Sequence, residues 1–371
     1  MLKSIFLPFS VAVASMGIAL SAHSATPLDG QTFQPYILSG ALPDTPAARV
    51  DPNVAASRFS GVVSINIRYA GSSFICSGAM ISTRHVLSAG HCVDTTGNGT
   101  LIDIGVAGND VRVVFNATAA GAGAAVVTAS AVSMHPDYKG FGNCPAGVAG
   151  FCVNDDLAVI TLPFDAPAEA DIYRVWAPGL SSGSQITMAG YGTSGDGING
   201  FTIDPAFRVK RSGGNVVDLF EGDDENFTGF DAFGFIQGGS NEVYYADFDG
   251  VNSRGVNRNS SCTSFGVCTA QLANEIEANI GGGDSGGPSF IDFGGELLLV
   301  ANNTFGYSGF GEENPGAFGS LFGGIVLSSY LGYLEDATGG ALAVEVPEPG
   351  SVALVGLGIL GVVAVRRRVR N

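Results

Sequence analysis

The chain has 371 residues, 46% hydrophobic and 14% charged, with 55 Gly, 16 Pro and a formal net charge of −17. That apolar share is ample for a packed core and excludes an unstructured acidic tail, and the length suits one large domain or two fused halves. Gly stands at about twice its ordinary ~7% without a Gly-X-Y period, which excludes collagen and favours a turn-rich β fold; 34 carboxylates against 17 bases exclude a nucleic-acid partner, whose phosphates demand a basic face.

Residues 1–25 hold Lys3, an apolar run from Ile5 to Leu20 and then small residues, the pattern of a secretory signal peptide cut after about Ser24 or Ala25. Residues 26–57 are Pro/Ala-rich, show no period and read as a leader or pro-like segment. From Phe59 onward short β-branched runs predict strands at 62–70, 73–82, 111–117, 124–134 and 157–162, separated by Gly, Asn and Asp. A second set is predicted at 184–192, 242–248, 295–305 and 323–329. Helical patterning is confined to Gln271–Asn279 and Ser329–Asp336.

Residues 193–260 read as a Gly/Asn/Asp-rich insertion with Asp218, Glu221, Asp223, Asp224, Glu225 and Asp231 inside 14 positions. With Asp247 and Asp249 these carboxylates offer hard oxygen ligands to calcium, but the D-x-[DN]-x-[DN]-G loop is absent and a solvated surface loop is the expected form. No other cofactor or metal is expected. No internal repeat is visible.

All six cysteines lie in the body, at Cys76, Cys92, Cys144, Cys152, Cys262 and Cys268. An even number in an exported chain without a CxxC pair argues for disulfides over zinc, and clustering as near neighbours predicts the pairs 76–92, 144–152 and 262–268. The chain ends in a Pro-Glu-Pro turn at Pro347–Pro349, an apolar stretch from Ser351 to Val365, and Arg366, Arg367, Arg368 and Arg370. As a helix that stretch reaches about 22 Å, short of a ~30 Å hydrocarbon core, so a marginal, transient membrane anchor is expected with the arginines on the cytoplasmic side. This three-part end resembles the PEP-CTERM sorting signal. The resemblance implies an exported protein of a Gram-negative bacterium, handled by export machinery and an exosortase-type processing enzyme, whose body reaches the periplasm, cell surface or extracellular matrix. Without both ends, residues 25–346 carry 12 bases and 33 acids, a net −21.

The chemistry-bearing motif is GGGDSGGP at 281–288. Gly283 to Gly287 formally fits a G-x-S-x-G nucleophile elbow, but that fold needs its His after the Ser, and no histidine follows His135. His23 leaves with the signal peptide, so His85, His91 or His135 must serve as base. His91 ends a strand in VLSAGHCV, and NDDLAVITL at 154–162 supplies an Asp directly before an apolar strand.

The blocks CSGAMISTRHVLSAGHC (76–92), NDDLAVITL, MAGYGTSG (188–195), GGGDSGGP, Thr304-Phe305-Gly306 and IVLSSYLGYL (325–334) stand in the order of the trypsin/chymotrypsin-like serine proteases, and the chain resembles that family across about residues 58–336. The resemblance implies an all-β fold of two perpendicular six-stranded antiparallel barrels with a C-terminal helix, and serine endopeptidase activity on peptide or protein substrates through an acyl-enzyme. It implies that Ser285 is the nucleophile, His91 the general base and Asp156, rather than Asp155, the residue orienting it. It gives the oxyanion hole to the amides of Gly283 and Ser285, and the substrate pocket to Asn279, Thr304, Phe305 and Gly306. Asn279 stands where an acidic residue would select Arg or Lys, so that specificity is not expected. Cys76–Cys92 matches the family's histidine-loop bridge. Family zymogens are cut to release an Ile-Val-Gly-Gly-like end that pairs with the Asp before the nucleophile, here Asp284; no such run is read in the sequence, and Arg49-Val50 and Arg58-Phe59 are the candidate cut points. Glu275 and Glu277 are expected as solvent-facing helix charge. The competing reading is a catalytically inactive, protease-like surface or matrix binding module.

Overall fold

The computed structural model describes residues 36–118 and 123–346. The expected signal peptide and the C-terminal apolar stretch lie outside them; among the described residues no helix is long and apolar enough to cross a membrane.

The first sheet uses β1 (Val62–Tyr69), β2 (Ser72–Met80), β3 (His85–Ser88), β4 (Asp110–Phe115), β5 (Ala125–Thr128), β6 (Ala131–Met134) and β7 (Ala158–Thr161), paired antiparallel in the order β5-β4-β1-β2-β3-β7-β6. The predicted run 124–134 is thus split, and the split closes the sheet. The Ala129 amide donates to Val111 O at 2.8 Å on one edge, while the next amide, Ser130, donates to Thr161 O at 2.8 Å on the other. One bent strand therefore joins both edges, leaving a six-stranded barrel.

The second sheet repeats this construction. It contains β8 (Gln185–Gly190), β9 (Arg211–Val216), β10 (Leu219–Glu221), β11 (Val243–Asp247), β12 (Pro288–Phe293), β13 (Glu296–Tyr307) and β14 (Leu321–Val326), in the order β9-β8-β12-β13-β14-β11-β10. Here the bend is at Val217–Asp218, whose successive amides donate to Ser184 O at 2.9 Å and Tyr245 O at 2.8 Å. With each bent strand counted once, both barrels share one pairing scheme: first with second, second with third, third with sixth, sixth with fifth, fifth with fourth, fourth with first. This is the trypsin-like fold. A 3₁₀ turn, Leu327–Tyr330, leads into a single short helix, α1 (Leu331–Ala337), close to the predicted Ser329–Asp336.

Period-two alternation sends successive residues into different cores. On β1, Val63, Ile65 and Ile67 fill the first barrel; on and just before β7, Ala158 and Ile160 do the same, whereas Leu157 and Val159 face the second barrel with Tyr191, Phe290, Leu299 and Ile325. Burial on both faces is why 157–162 reads as an unbroken apolar run. It also fixes Asp156 at the seam between the barrels.

Three expectations are corrected. Gln271–Asn279 is not helical: Ala278 and Ile280 are drawn into the second barrel's core, and Asn279–Gly281 forms a short strand pairing with Tyr36–Leu38. Glu277 is accordingly buried, accepting the Leu272 amide at 3.1 Å, while Glu275 is exposed. The segment expected as a leader is, from residue 36, built into the fold: Ile37 and Leu38 are 1% and 0% exposed, and Arg49 is buried against Asp44 at 2.6 Å. The region 193–260 contributes β9, β10 and β11, and its Asp218, Glu221, Asp224, Asp247 and Asp249 are buried rather than solvated. Asp218 is held by the Asp247 amide at 2.9 Å and the Ser261 hydroxyl at 3.0 Å, so a barrel bend, not a surface loop, accounts for it.

Candidate active site

His91 lies in a 3₁₀ turn, Gly90–Cys92, directly after β3. Its position is fixed twice by one carboxylate: Asp156 Oδ2 is 2.7 Å from His91 Nδ1, and Asp156 Oδ1 accepts the His91 backbone N–H at 2.7 Å. Glycine at 90 permits this approach, because a Cβ there would stand 3.2 Å from Asp156 Oδ1. Asp156 is completely buried, the His91 side chain about one-fifth exposed, and Phe141 packs edge-on against the ring at 5.2 Å. The Asn302 side chain donates to Asp156 O at 3.0 Å, tying the turn to β13. The Cys76–Cys92 disulfide joins β2 to the residue after His91. The other bridges are Cys144–Cys152 and Cys262–Cys268, so all three predicted pairs form.

Ser285 sits in the turn before β12. Around it the amides of Asp284, Gly286 and Gly287 donate to Gly281 O (2.6 Å), Asn303 O (2.7 Å) and Asp284 O (2.8 Å). Among the described residues the amides of Gly283 and Ser285 have no intramolecular acceptor. Gly283 has φ +101°, a conformation open to glycine and strained for other residues. Ser77 on β2 pins this turn from the opposite barrel: its amide donates to Ser285 O at 2.9 Å, its hydroxyl donates to Gly283 O at 2.7 Å and accepts the Tyr191 amide at 2.9 Å.

His91, Gly283 and Ser285 line one cleft of about 770 Å³, whose walls include Ile67, Phe74, Ile75, Tyr138 and Phe141. Residues 52–203 match the Trypsin family model, and residues 345–368 match the model of the PEP-CTERM protein-sorting motif. The chain carries a trypsin-like domain. The matched span contains His91 and Asp156 and ends before Ser285. The sorting motif implies export and processing by an exosortase. Among solved structures, HL collagenase is similar at 17% identity and a TM-score of 0.44, covering 76% of this chain and 94% of its own. No curated protein matches the chain.

Not every residue singled out from the sequence reaches the trypsin-like domain's cleft. Asn279 is 2% exposed, engaged by Gly316 O at 3.2 Å and by the Ile280 amide at 2.8 Å. Thr304 and Phe305 are buried, Phe305 in an aromatic cluster with Tyr245 and Phe235, and neither they nor Gly306 line the cleft. Pairing of Tyr36–Leu38 onto Asn279–Gly281 draws Asn279 into the sheet. His85 bonds Ser82 Oγ at 2.6 Å, and His135 stands 3.1 Å from Asp155, so Asp155 and Asp156 serve different histidines.

The sequence reading missed three contributors. Ser77 and Asn302 carry no motif signal, being ordinary strand residues placed by pairing. Ile37 did carry one: Ile37-Leu38-Ser39-Gly40 is two aliphatic residues followed by two small ones. Asp284, fully buried, accepts the amides of Gly192 at 2.7 Å, Gly281 at 2.8 Å and Ile37. Burial pushes its carboxyl up to about 7, with the Gly192 and Ile37 amides and Arg211 opposing the rise.

Proposed function

We propose that this chain is an exported serine endopeptidase that cleaves peptide bonds through an acyl-enzyme, acting in the periplasm, at the cell surface or in an extracellular matrix. Ser285 Oγ attacks the scissile carbonyl as His91 Nε2 takes its proton; Asp156 keeps the other proton on Nδ1 and stabilises the imidazolium. The negative oxygen of the tetrahedral intermediate is met by the amides of Gly283 and Ser285. His91 then returns the proton to the leaving amine, and a water deprotonated by His91 releases the acyl group in the same way. The observation on which this rests is the double hold of Asp156 on His91 in the cleft shared with Ser285.

Activation follows from Asp284. Cleavage between Tyr36 and Ile37 would convert an amide already on that carboxylate into an α-ammonium group, supplying the cation that a fully buried carboxylate lacks within hydrogen-bond reach. Arg49 is a poor cut point because its guanidinium is buried against Asp44 and the carbonyls of Ile276 and Glu277. Fluorophosphonate labelling tests the proposal: processed wild type reacts and Ser285→Ala does not, whereas processed wild type that stays unlabelled points to a binding module.

A further inference from the structure

Asp155, Glu225 and Glu242 bring carboxylate oxygens within 4.8 Å of one another where the two barrels meet. Asp155 lies in the turn before β7, Glu225 in the loop after β10, and Glu242 directly before β11. Like charges this close repel, so the cluster is held together by protons or by a cation. Among the described residues, the basic side chain paired with it is His135, 3.1 Å from Asp155, while Lys139 is turned to Asp137 at 3.6 Å. Tyr330 adds one hydroxyl: it accepts the Asp155 amide at 3.0 Å and donates to Glu242.

An independent feature points to what fills the need. Asn154, 4% exposed, donates its Nδ2 to Glu242 Oε2 and to Gly222 O, each at 2.8 Å, yet its Oδ1 has no hydrogen-bond partner. Flipping the carboxamide would set its oxygen against two acceptors. Asp224, also 4% exposed and adjacent to Glu225, has an oxygen that is unpartnered too. A buried acceptor left without a donor is costly, and two beside three carboxyl groups make a surplus of oxygen acceptors. Such a set suits a hard cation. Calcium accepts an irregular shell of six to eight oxygens, as a set drawn from three loops would offer, whereas magnesium demands a near-ideal octahedron. Glu225 is exposed and gives the ion a way in.

We propose that Asp155, Glu225 and Glu242, supported by Asn154 Oδ1 and Asp224, form a calcium site that fastens the loop after β10 to the residue preceding Asp156. The site is separate from the substrate cleft. Calcium binding stands without the triad reading; its influence on turnover, through the Asp155–Asp156 peptide, rests on it.

Calorimetric titration of CaCl2 into EDTA-stripped full-length Ser285→Ala protein, with thermal unfolding in parallel, tests this. Saturable binding is expected with Kd at or below about 1 mM, the range of extracellular calcium modules, together with a rise in Tm. Glu225→Gln, an exposed change that leaves the core intact, weakens binding by about tenfold or more; Glu242→Gln does the same, and the distant Asp292→Asn leaves it unaltered. Absence of binding at ~10 mM calcium, wild-type affinity in Glu225→Gln, or an equal response to magnesium would overturn the assignment.

Discussion

Replacing Asp156 by Asn separates the chemistry of this carboxylate from its shape. Asp156 uses its two oxygens on two different groups, the His91 amide N–H and His91 Nδ1, each at 2.7 Å. Asn offers one oxygen and one NH2. The backbone N–H can only donate, so the Asn oxygen must go there and its NH2 must face Nδ1, which then has to accept. The remaining ring proton is driven to Nε2, the nitrogen that should receive the proton of Ser285. In trypsin-like serine proteases such a tautomer reversal lowers kcat by about 10⁴, which corresponds to about 5.5 kcal/mol of transition-state stabilisation. The cost to folding is far smaller, about 1–3 kcal/mol for one weakened buried hydrogen bond. Steady-state hydrolysis of a peptide ester or anilide near pH 7 reads the first quantity and thermal unfolding the second. A variant that keeps more than a tenth of wild-type kcat would refute the reasoning, as would one that loses activity only because it unfolds.

Gly283→Ala is expected to reduce kcat by about 10²–10³ with little change in KM, because the new Cβ would stand 3.1 Å from Gly192 Cα and Ile75 Cγ2 at a φ of +101°, turning one oxyanion donor away; an unchanged kcat would remove Gly283 from that role. N-terminal sequencing of the protein recovered in its active form should begin at Ile37, and an active form beginning at Val50 or Phe59 would count against the Asp284 account. Burial holds Asp284 at about 7, and burial together with neighbouring carboxylates holds Asp247 and Glu277 at about 9, against ordinary values near 4. The fold thus keeps protons that the unfolded chain has already released, so this stabilisation is complete below about pH 4 and is lost as pH rises through 7 to 9. Thermal unfolding in EDTA should show Tm falling between pH 5 and pH 9; a rise across that interval would contradict the burial of these carboxylates.

The blocks holding His91, Asp156 and Ser285 were legible in the sequence by their order along the chain, and the structure brings His91 and Ser285 to one cleft with Asp156 bonded to His91. The strands were legible wherever both faces are apolar, as at 157–162, or where alternation is clean, as at 62–69. What sequence could not show depends on closure. The 129–130 and 217–218 bends look like ordinary breaks until adjacent amides are seen bonding to opposite edges, and the twofold identity of the barrels leaves no repeat because different side chains satisfy the same pairing. The acidic residues of 193–260 read as solvated since burial of Asp218, Asp247 and Asp249 depends on donors such as Ser261 and Asn259, far from any local pattern. Asn279 was expected in the substrate pocket from its offset to Ser285, and no local pattern shows that it pairs with Leu38, 241 residues earlier.

The most direct test of the central claim is covalent labelling of Ser285 itself. Full-length protein, before and after generation of the Ile37 terminus, is incubated with a fluorophosphonate and digested for mass spectrometry. The account predicts a single adduct on the peptide containing Ser285, formed faster after processing, slowed strongly in Asp156→Asn and lost in Ser285→Ala. An adduct elsewhere, or none on processed wild type, would contradict it.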